Sequence, residues 1–272
     1  MAPLWQWSFN IDNYLNHIIP PPPWQVIPYP IAYFLGYRKR PPEKKYGSLL
    51  LTVRALLGAF TSLVLIQVLT YQVPWVALND IHVLASFGAA AVLEFSMFGS
   101  PVAQPRSFIG GQIIACLVGV SLSKLFQLGS DAYWARWLAG ALACTITILV
   151  MDLTNTVHPP AGATALLAVI DDSAVGIGWR LIPLVLLSCS IMLFVALIVN
   201  NVFTRFPLYW WTASELAARP AKELTGLSVG EEEMNEVQPT KIIILQNDIN
   251  VPDHIQLTPE ERDMLEQIAL KL

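Results

Sequence analysis

The stretch Asp152–Thr164, which reads DLTNTVHPPAGAT, interrupts an apolar part of the chain with an acid, an asparagine, a histidine and two adjacent prolines. Proline lacks a backbone N–H and disfavours helical geometry in the residue before it, so we expect the preceding helix to end near Thr154. Pro159 and Pro160 suit the first turn of a new helix, which the apolar residues up to Ile170 would continue. The sequence therefore predicts a broken helix with a polar elbow, followed by a short apolar helix.

A similar elbow occurs earlier in the chain. The stretches Glu94–Ala103 (EFSMFGSPVA) and Asp152–Ala161 (DLTNTVHPPA) share an acid, five further residues, then a serine or histidine followed by proline, any residue and alanine. An apolar run precedes the acid in both copies, and Pro101 is expected to break a helix as Pro159 does. We interpret the pair as an internal repeat of two-helix units.

The composition is that of a membrane protein. Hydrophobic residues make up 54% of the 272 residues and charged residues only 13%, with a mean hydropathy of +0.52. Soluble domains carry about 25% charged residues. From Thr204 onward there are twelve acids and six bases. The sequence thus predicts an all-α integral membrane protein with a small, soluble, acidic tail.

The apolar runs divide the chain into an arm (residues 1–48), a transmembrane domain (49–205) and the tail (206–272). The run Ala161–Ile170 makes about 15 Å of helix, too short to cross a core of about 30 Å, and is expected to be either a half-helix or a re-entrant segment packed against protein. Arg54 is interpreted as a side chain that snorkels toward the interface. Five longer runs are predicted to span the membrane: Leu49–Tyr71, Leu78–Phe98, Ser107–Phe126, Trp134–Leu153 and Leu181–Phe203.

The arm is rich in proline and aromatic residues, which favours an extended, polyproline-like or irregular path along the membrane interface. Five basic residues at 38–45 precede the first span, while the loop 72–80 has none, so the positive-inside rule predicts a cytosolic amino terminus. Both elbows would then face the cytosol if each of the first four runs crosses. The beginning of the sequence does not resemble a signal or transit peptide, and the particular membrane stays open.

The tail has two features of its own. Residues 241–245 (KIIIL) predict a short strand, and Thr258-Pro259-Glu260-Glu261 has the pattern of a capping box that begins a helix. That helix would serve either as a docking site for a protein partner or as an ordinary surface helix.

Each elbow begins with an acid whose position is electrostatically unfavourable. Glu94 and Asp152 lie near the carboxyl ends of their helices, where the helix dipole disfavours negative charge, and acids within a membrane are costly. Specific partners are therefore expected, and Arg106 and His158 are the nearest candidates; alternatively both acids reach interfacial water or cap neighbouring groups. His158, titrating near neutrality, is a candidate for coupling a proton, although a structural cap is the other interpretation.

The segment HPPAGAT at His158–Thr164, with SPVAQPR at Ser100–Arg106 and the glycines Gly110 and Gly111, resembles the HPP transmembrane family. The resemblance covers roughly residues 49–201 and leaves out the arm and the tail. It implies an integral membrane protein of several helices that acts as a transporter. Some relatives in chloroplasts and cyanobacteria are nitrite transporters, which agrees with an anion site at a helix amino terminus.

The leading hypothesis is a transporter of a small inorganic anion, with nitrite as the best single candidate. Broken helices often build such sites in transporters. Glu94 and Asp152 would serve as coupling or structural polar groups. The anion would lie between the elbows, bound by Ser100, Gln104, Arg106, Asn155, His158 and Thr164.

Two other classes of function stay open. One is a membrane adaptor that acts through its acidic tail; the other is a membrane-embedded enzyme using Glu94, Asp152 and His158. The sequence has no HExxH pair and no nucleophile elbow, so an enzyme, a metal site and a cofactor are not expected. The sequence has no soluble basic patch, so nucleic-acid binding is not expected. Because five spans are few for a complete pathway, a homo-oligomer in the bilayer is a further expectation.

Overall fold

The structure is a computed structural model. It describes residues 10–16, 18–19, 22–24, 26–39, 46–78, 85–128, 135–212, 243–245, 248–250 and 265. By its contacts the chain divides into two units, Met1–Lys222 and Glu223–Leu272. The sequence predicts a tail that begins at residue 206; Leu208, Trp210 and Trp211 form hydrogen bonds with Gln104, Leu35 and Arg106 of the first unit.

The first unit is helical in its described parts. Besides α-helices, the described part of this unit has a π-helical turn at Val92–Ser96 and two 3₁₀ turns, at Pro101–Ala103 and Gly178–Arg180. The α-helices are α1 (Asp12–Leu15), α2 (Tyr29–Phe34), α3 (Ser48–Tyr71), α4 (Pro74–Leu78), α5 (Ala85–Ala91), α6 (Pro105–Phe126), α7 (Arg136–Thr154), α8 (Pro159–Ile170), α9 (Asp172–Ile177) and α10 (Leu181–Phe203).

Four helical segments in the described part of the chain are long and apolar enough to cross a membrane: Ser48–Tyr71, Pro105–Phe126, Arg136–Thr154 and Asp172–Phe203. The all-α membrane architecture expected from the sequence is confirmed. The count of five spans is not, because the described helix of the second run, Ala85–Ser96, is shorter than a full span. Residues 79–84 of that run lie outside the described residues.

The end of the second run is widened into the π-helical turn Val92–Ser96. Polar side chains from two other helices bond to its carbonyl groups. Asn200 of α10 donates from Nδ2 to the carbonyl oxygen of Glu94 at 2.8 Å, and Arg54 of α3 donates from Nη2 to that of Phe95 at 2.9 Å. A π-turn often marks a functional site, and here it places Glu94 in the interior of the bundle.

The break after α7 is confirmed at Thr154. Asn155 follows in the left-handed region (φ 52°), a conformation that asparagine tolerates better than most residues, and its N–H bonds back to the last turn of α7. The new helix α8 starts at Pro159 as the prolines predict.

Helix α8 packs between α6 and α7 and runs back along α7. Arg136, at the start of α7, donates from Nε and Nη2 to the carbonyl oxygens of Val169 and Ile170 at the end of α8. The short helix therefore returns the chain to the opposite end of the bundle. Close packing needs glycine here, because a Cβ on Gly119 of α6 would lie 2.7 Å from the Cβ of Ala168.

The described part of the arm is not an extended polyproline segment. It contains α1 and α2 and packs against the bundle. Arg38 donates from Nη2 to Oδ1 of Asn201 in α10 at 2.7 Å, and Trp210 donates from Nε1 to the carbonyl oxygen of Leu35 at 3.0 Å. The aromatic and basic residues of the arm are thus used to cover one end of the helices.

The second unit contains a two-stranded antiparallel sheet of β1 (Ile243–Leu245) and β2 (Asp248–Asn250), with Ile244 opposite Ile249. The strand β1 lies within residues 241–245, where the sequence predicts one. The helix expected from Thr258 lies outside the described residues, apart from a helical Leu265.

Candidate functional site

The two elbows meet at one end of the bundle. Nδ1 of His158 lies 2.9 Å from the carbonyl oxygen of Val102 in the first elbow. Arg106, just after that elbow, donates from Nη2 to the carbonyl oxygen of Thr154 at 2.7 Å. The repeat predicted from the sequence therefore brings two helix breaks into direct contact.

His158 lies between α7 and α8, outside the four candidate spans, and is completely buried. Because the carbonyl oxygen of Val102 can only accept, Nδ1 carries the hydrogen, and the ring packs 5.1 Å from that of Phe108. Burial lowers the pKa of His158 to about 4, against a smaller opposing effect of its bond to Val102. Burial thus favours the neutral imidazole, and the role of His158 in coupling a proton stays a prediction. Its Nε2 has no partner among the described residues.

Six residues after His158, Thr164 of α8 meets two other polar side chains in the interior. Oγ1 of Thr164 in α8 lies 2.7 Å from Oε1 of Gln112 in α6 and 2.8 Å from Oγ of Ser86 in α5. All three residues are buried, and within the described structure Nε2 of Gln112 has no acceptor. Phe108, one turn before Gln112 on α6, links this cluster to His158 because it packs against the imidazole ring. We call His158, Gln112, Thr164 and Ser86 the interior polar group.

Gln112 and Ser86 were missed from the sequence. The available signal was a glutamine near the middle of an apolar span, a position at which polar residues are costly and often functional. Ser86 carried no such signal, because serine is common in membrane helices.

Arg106 does not pair with Glu94, so that expectation is wrong. Its Nη2 lies 2.6 Å from Oδ1 of Asp12 in α1, and its guanidinium stacks 4.1 Å from the ring centre of Trp211. Asn155 likewise faces the arm, donating from Nδ2 to Oδ1 of Asn10 at 2.8 Å. These two predicted site residues therefore lie at the arm and not in the interior polar group.

Gln104 and Ser100 support the first elbow. Gln104 is buried and donates from Nε2 to the carbonyl oxygens of Phe98 at 3.0 Å and Ser100 at 2.9 Å. Its Oε1 accepts the N–H of Leu208 at 2.8 Å. With these three bonds the amide of Gln104 holds the turn in place, and Pro101 begins the 3₁₀ turn there.

The two acids differ although the repeat makes them equivalent. Glu94 is completely buried, and neither carboxyl oxygen has a partner among the residues described. Asp152 is exposed on α7 and is not paired with His158. The exposure of Asp152 agrees with the alternative that this acid reaches interfacial water, whereas Glu94 lies inside the bundle.

Arg54 does not snorkel to the interface. Only 5% of the residue is exposed, and it donates to Oγ1 of Thr204 at 2.8 Å and to the carbonyl oxygen of Phe95 at 2.9 Å. Its guanidinium also lies 4.5 Å from the ring centre of Phe98.

Apolar helices of membrane-spanning length, two elbows in contact and a buried polar group with unused hydrogen-bonding atoms together define a multi-pass membrane protein with an internal polar site. Within the described residues no group of three or more His, Cys, Asp or Glu side chains is placed to hold a metal ion.

Comparison with known proteins gives the family. The family model "HPP, transmembrane region" matches residues 44–207, which is more than half of the chain. The protein belongs to the HPP transmembrane family. The elbow residues of both copies lie within the matched region.

Two relatives are transmembrane proteins of Dictyostelium discoideum. One is 36% identical over 192 residues, which is 67% of this chain and 65% of the relative. The other is 38% identical over 159 residues, which is 57% of this chain and 50% of the relative. The chain thus spans between half and two thirds of the length of these relatives. No solved structure matches the chain.

Proposed function

We propose that this protein transports a small inorganic anion across its membrane, and that nitrite is the best single candidate. The observation that supports this most is the interior polar group beside the two elbows. Within the described structure it has an unused amide N–H on Gln112, and an unused imidazole nitrogen on His158 that would become a donor when the ring is protonated. Buried polar atoms normally have partners, so a small anion with hydrogen-bond acceptors is a fitting occupant.

The proposal includes a role for His158 in coupling. Neutral His158 presents a lone pair at Nε2, which repels an anion, whereas the protonated ring donates an N–H to it. Binding of an anion beside the ring would raise the pKa of His158 from about 4. A proton and the anion would thus enter together, and the charge of the pair would be close to zero while it crosses.

Arg106 has a different part in the proposal. It lies at the arm rather than in the interior polar group, where it is paired with Asp12. An anion approaching the elbows would meet this guanidinium first, so Arg106 would act at the entrance.

The test is nitrite and nitrate flux into proteoliposomes, with and without a pH gradient. Thr164→Val and Gln112→Leu are expected to reduce saturable flux at least about tenfold, as loss of a buried hydrogen bond to a charged ligand would. Thr145→Val, the same change on the outward face of α7, is the matched control and should transport as the wild type does. Each variant is first checked for a single elution peak in detergent.

The outcomes separate the parts of the proposal. Saturable flux that is lost in the two interior variants and kept in Thr145→Val supports an anion pathway. A pH-gradient effect that survives His158→Gln but is lost in Glu94→Gln would move the proton to Glu94. Wild-type flux no greater than in empty liposomes would remove both anions. A chain truncated after Lys222 tests the alternative that the protein is an adaptor acting through its tail. A transporter should keep its flux without the second unit.

A further inference from the structure

A groove lies on the outside of the bundle, between α3 on one side and α5 with the π-helical turn on the other. Its volume is about 540 Å³. The groove is polar at one end and apolar at the other. Residues that line it include Thr52, Arg54 and Ser96 at the polar end, and Leu56, Ala59 and Leu63 along the apolar part.

The groove opens toward the surroundings of the bundle. Leu56 and Val92, which line it from opposite sides, are 66% and 55% exposed. Both lie in apolar helices, and the exposed sides of such helices face lipid chains in a membrane. The groove is therefore accessible from the bilayer.

The polar end contains a cation without a counter-ion. Arg54 has no carboxylate within ion-pairing distance in the described part of the chain, and its Nε has no acceptor there. Glu94 precedes Phe95, to which Arg54 donates, but its carboxyl group has no contact with the guanidinium. The acceptors of Arg54, Thr204 and the carbonyl of Phe95, are neutral, and a buried cation without a counter-ion is unfavourable. An anionic occupant of the groove would remove this cost.

Arg54 also lies at a suitable depth. It is the seventh residue of α3, about 9 Å along the helix from Ser48. The distance along the axis from Arg54 to Leu63 is about 13 Å, which is enough for a large part of an acyl chain. The order from the helix start inward is thus polar, cationic and apolar, which complements the polar headgroup, the anionic phosphate and the apolar acyl chains of a phospholipid.

We propose that this groove binds one glycerophospholipid, with its phosphate at Arg54 and an acyl chain along α3 toward Leu63. Guanidinium and phosphate form strong, charge-assisted hydrogen bonds. The lipid would contact the π-helical turn from the side opposite to the bundle interior, and would stabilise the position of Phe95 and Glu94. This site does not depend on what the protein transports.

The experiment is native mass spectrometry of the full chain, purified in mild detergent and titrated with phosphatidylglycerol. Gly88→Leu is designed to fill the groove: Gly88 lines it, and a Cβ at that position would meet nothing within 4 Å. Gly176→Leu in α9 is the matched control, since a Cβ there also meets nothing within 4 Å. Arg54→Gln removes the charge and keeps the length of the side chain approximately.

Binding of one lipid per chain to the wild type and to Gly176→Leu, with an affinity roughly tenfold lower in Gly88→Leu and in Arg54→Gln, is the expected result. Equal binding to Gly88→Leu and to the wild type would overturn the proposal. If Arg54→Gln does not fold, Gly88→Leu decides alone.

Two further outcomes would also overturn it. The first is a wild-type dimer without lipid that Gly88→Leu dissociates, because the groove would then be occupied by a second copy of the chain. The second is a thermal stabilisation of the wild type by inorganic phosphate equal to that by phosphatidylglycerol, because the site would then bind a free anion.

Discussion

Nη2 of Arg106 lies 2.6 Å from Oδ1 of Asp12, so a carboxylate of the amino-terminal arm is held at the elbow that the sequence assigned to an anionic substrate. Both side chains are largely buried, and Asn155 beside them bonds to Asn10 of the same arm. The arm therefore supplies the negative charge that balances Arg106 in this structure.

Asp12→Asn should loosen the arm. Removing the carboxylate leaves the Arg106 charge without its counter-ion, at an expected cost of about 1–2 kcal/mol, between the values for exposed and buried ion pairs. The measurement is thermal unfolding in detergent together with limited proteolysis of the arm. Asp172→Asn is the control, because Asp172 pairs with Arg136 while its side chain is 88% exposed. Equal shifts in the two variants would contradict a special role of the arm contact.

The stability of the protein should fall as the pH is lowered from about 7 to about 4. A histidine in an unfolded chain has a pKa of about 6.5, whereas that of buried His158 is about 4. Between these values the unfolded chain binds a proton that the folded chain does not, so protonation favours unfolding. The contribution is on the order of 3 kcal/mol and is complete below about pH 4.

Unfolding midpoints of the wild type and His158→Gln across this pH range test the assignment. The variant should show a flatter dependence on pH, and the difference between the two curves should grow as the pH falls below 6.5. His254→Gln, in the tail, is expected to follow the wild type. Parallel curves for the wild type and His158→Gln would show that another group causes the pH dependence.

Gly119→Ala should destabilise the contact between α6 and α8. The added Cβ would lie 2.7 Å from the Cβ of Ala168 and 2.8 Å from the carbonyl oxygen of Ala165, so backbone has to move. Overpacking of this kind costs about 1–3 kcal/mol. Gly176→Ala should be neutral or stabilising, since its Cβ meets nothing within 4 Å and alanine favours helix. A chemical denaturation series measures both, and a stabilised Gly119→Ala would mean that the helices are less closely packed.

Gln112 and Thr164 should be energetically coupled. Thr164→Val leaves Oε1 of Gln112 without its donor, so the second change, Gln112→Leu, costs less in that background. A double-mutant cycle measured by unfolding is expected to give an interaction of about 0.5–3 kcal/mol. The cycle of Gln112→Leu with Thr145→Val is the control and should be additive within about 0.5 kcal/mol. Additivity in the first cycle would indicate that the two side chains do not share a hydrogen bond.

Local features of the sequence were enough for the helix break and for most of the helices. Pro159 and Pro160 placed the end of α7 and the start of α8, and the apolar runs indicated a helical membrane protein. The arm was predicted only in part: its described residues include irregular stretches, but also the short helices α1 and α2, and it packs against helices that lie far away in sequence.

The site was predicted only in part. His158 and Thr164 do lie in the interior polar group, but Gln112 and Ser86 joined them from α6 and α5. Arg106 was assigned to Glu94 because the two are neighbours along the chain, and it pairs instead with Asp12. Sequence proximity cannot predict such a pair, since the direction of a side chain depends on how its helix is rotated against the others.

Hydrophobicity and proline act on the chain locally, and for this reason the amino-acid sequence was enough to predict a helical membrane protein with two elbows. The tertiary structure alone decided which polar groups meet. It turned Glu94 inward and left Asp152 exposed, although the repeat makes them equivalent. Among the described residues, the π-helical turn and the bond from Asn200 of α10 occur at the first elbow, whereas α7 ends as an ordinary α-helix. Partner choice follows from the position of whole helices, and these positions are set by long-range packing.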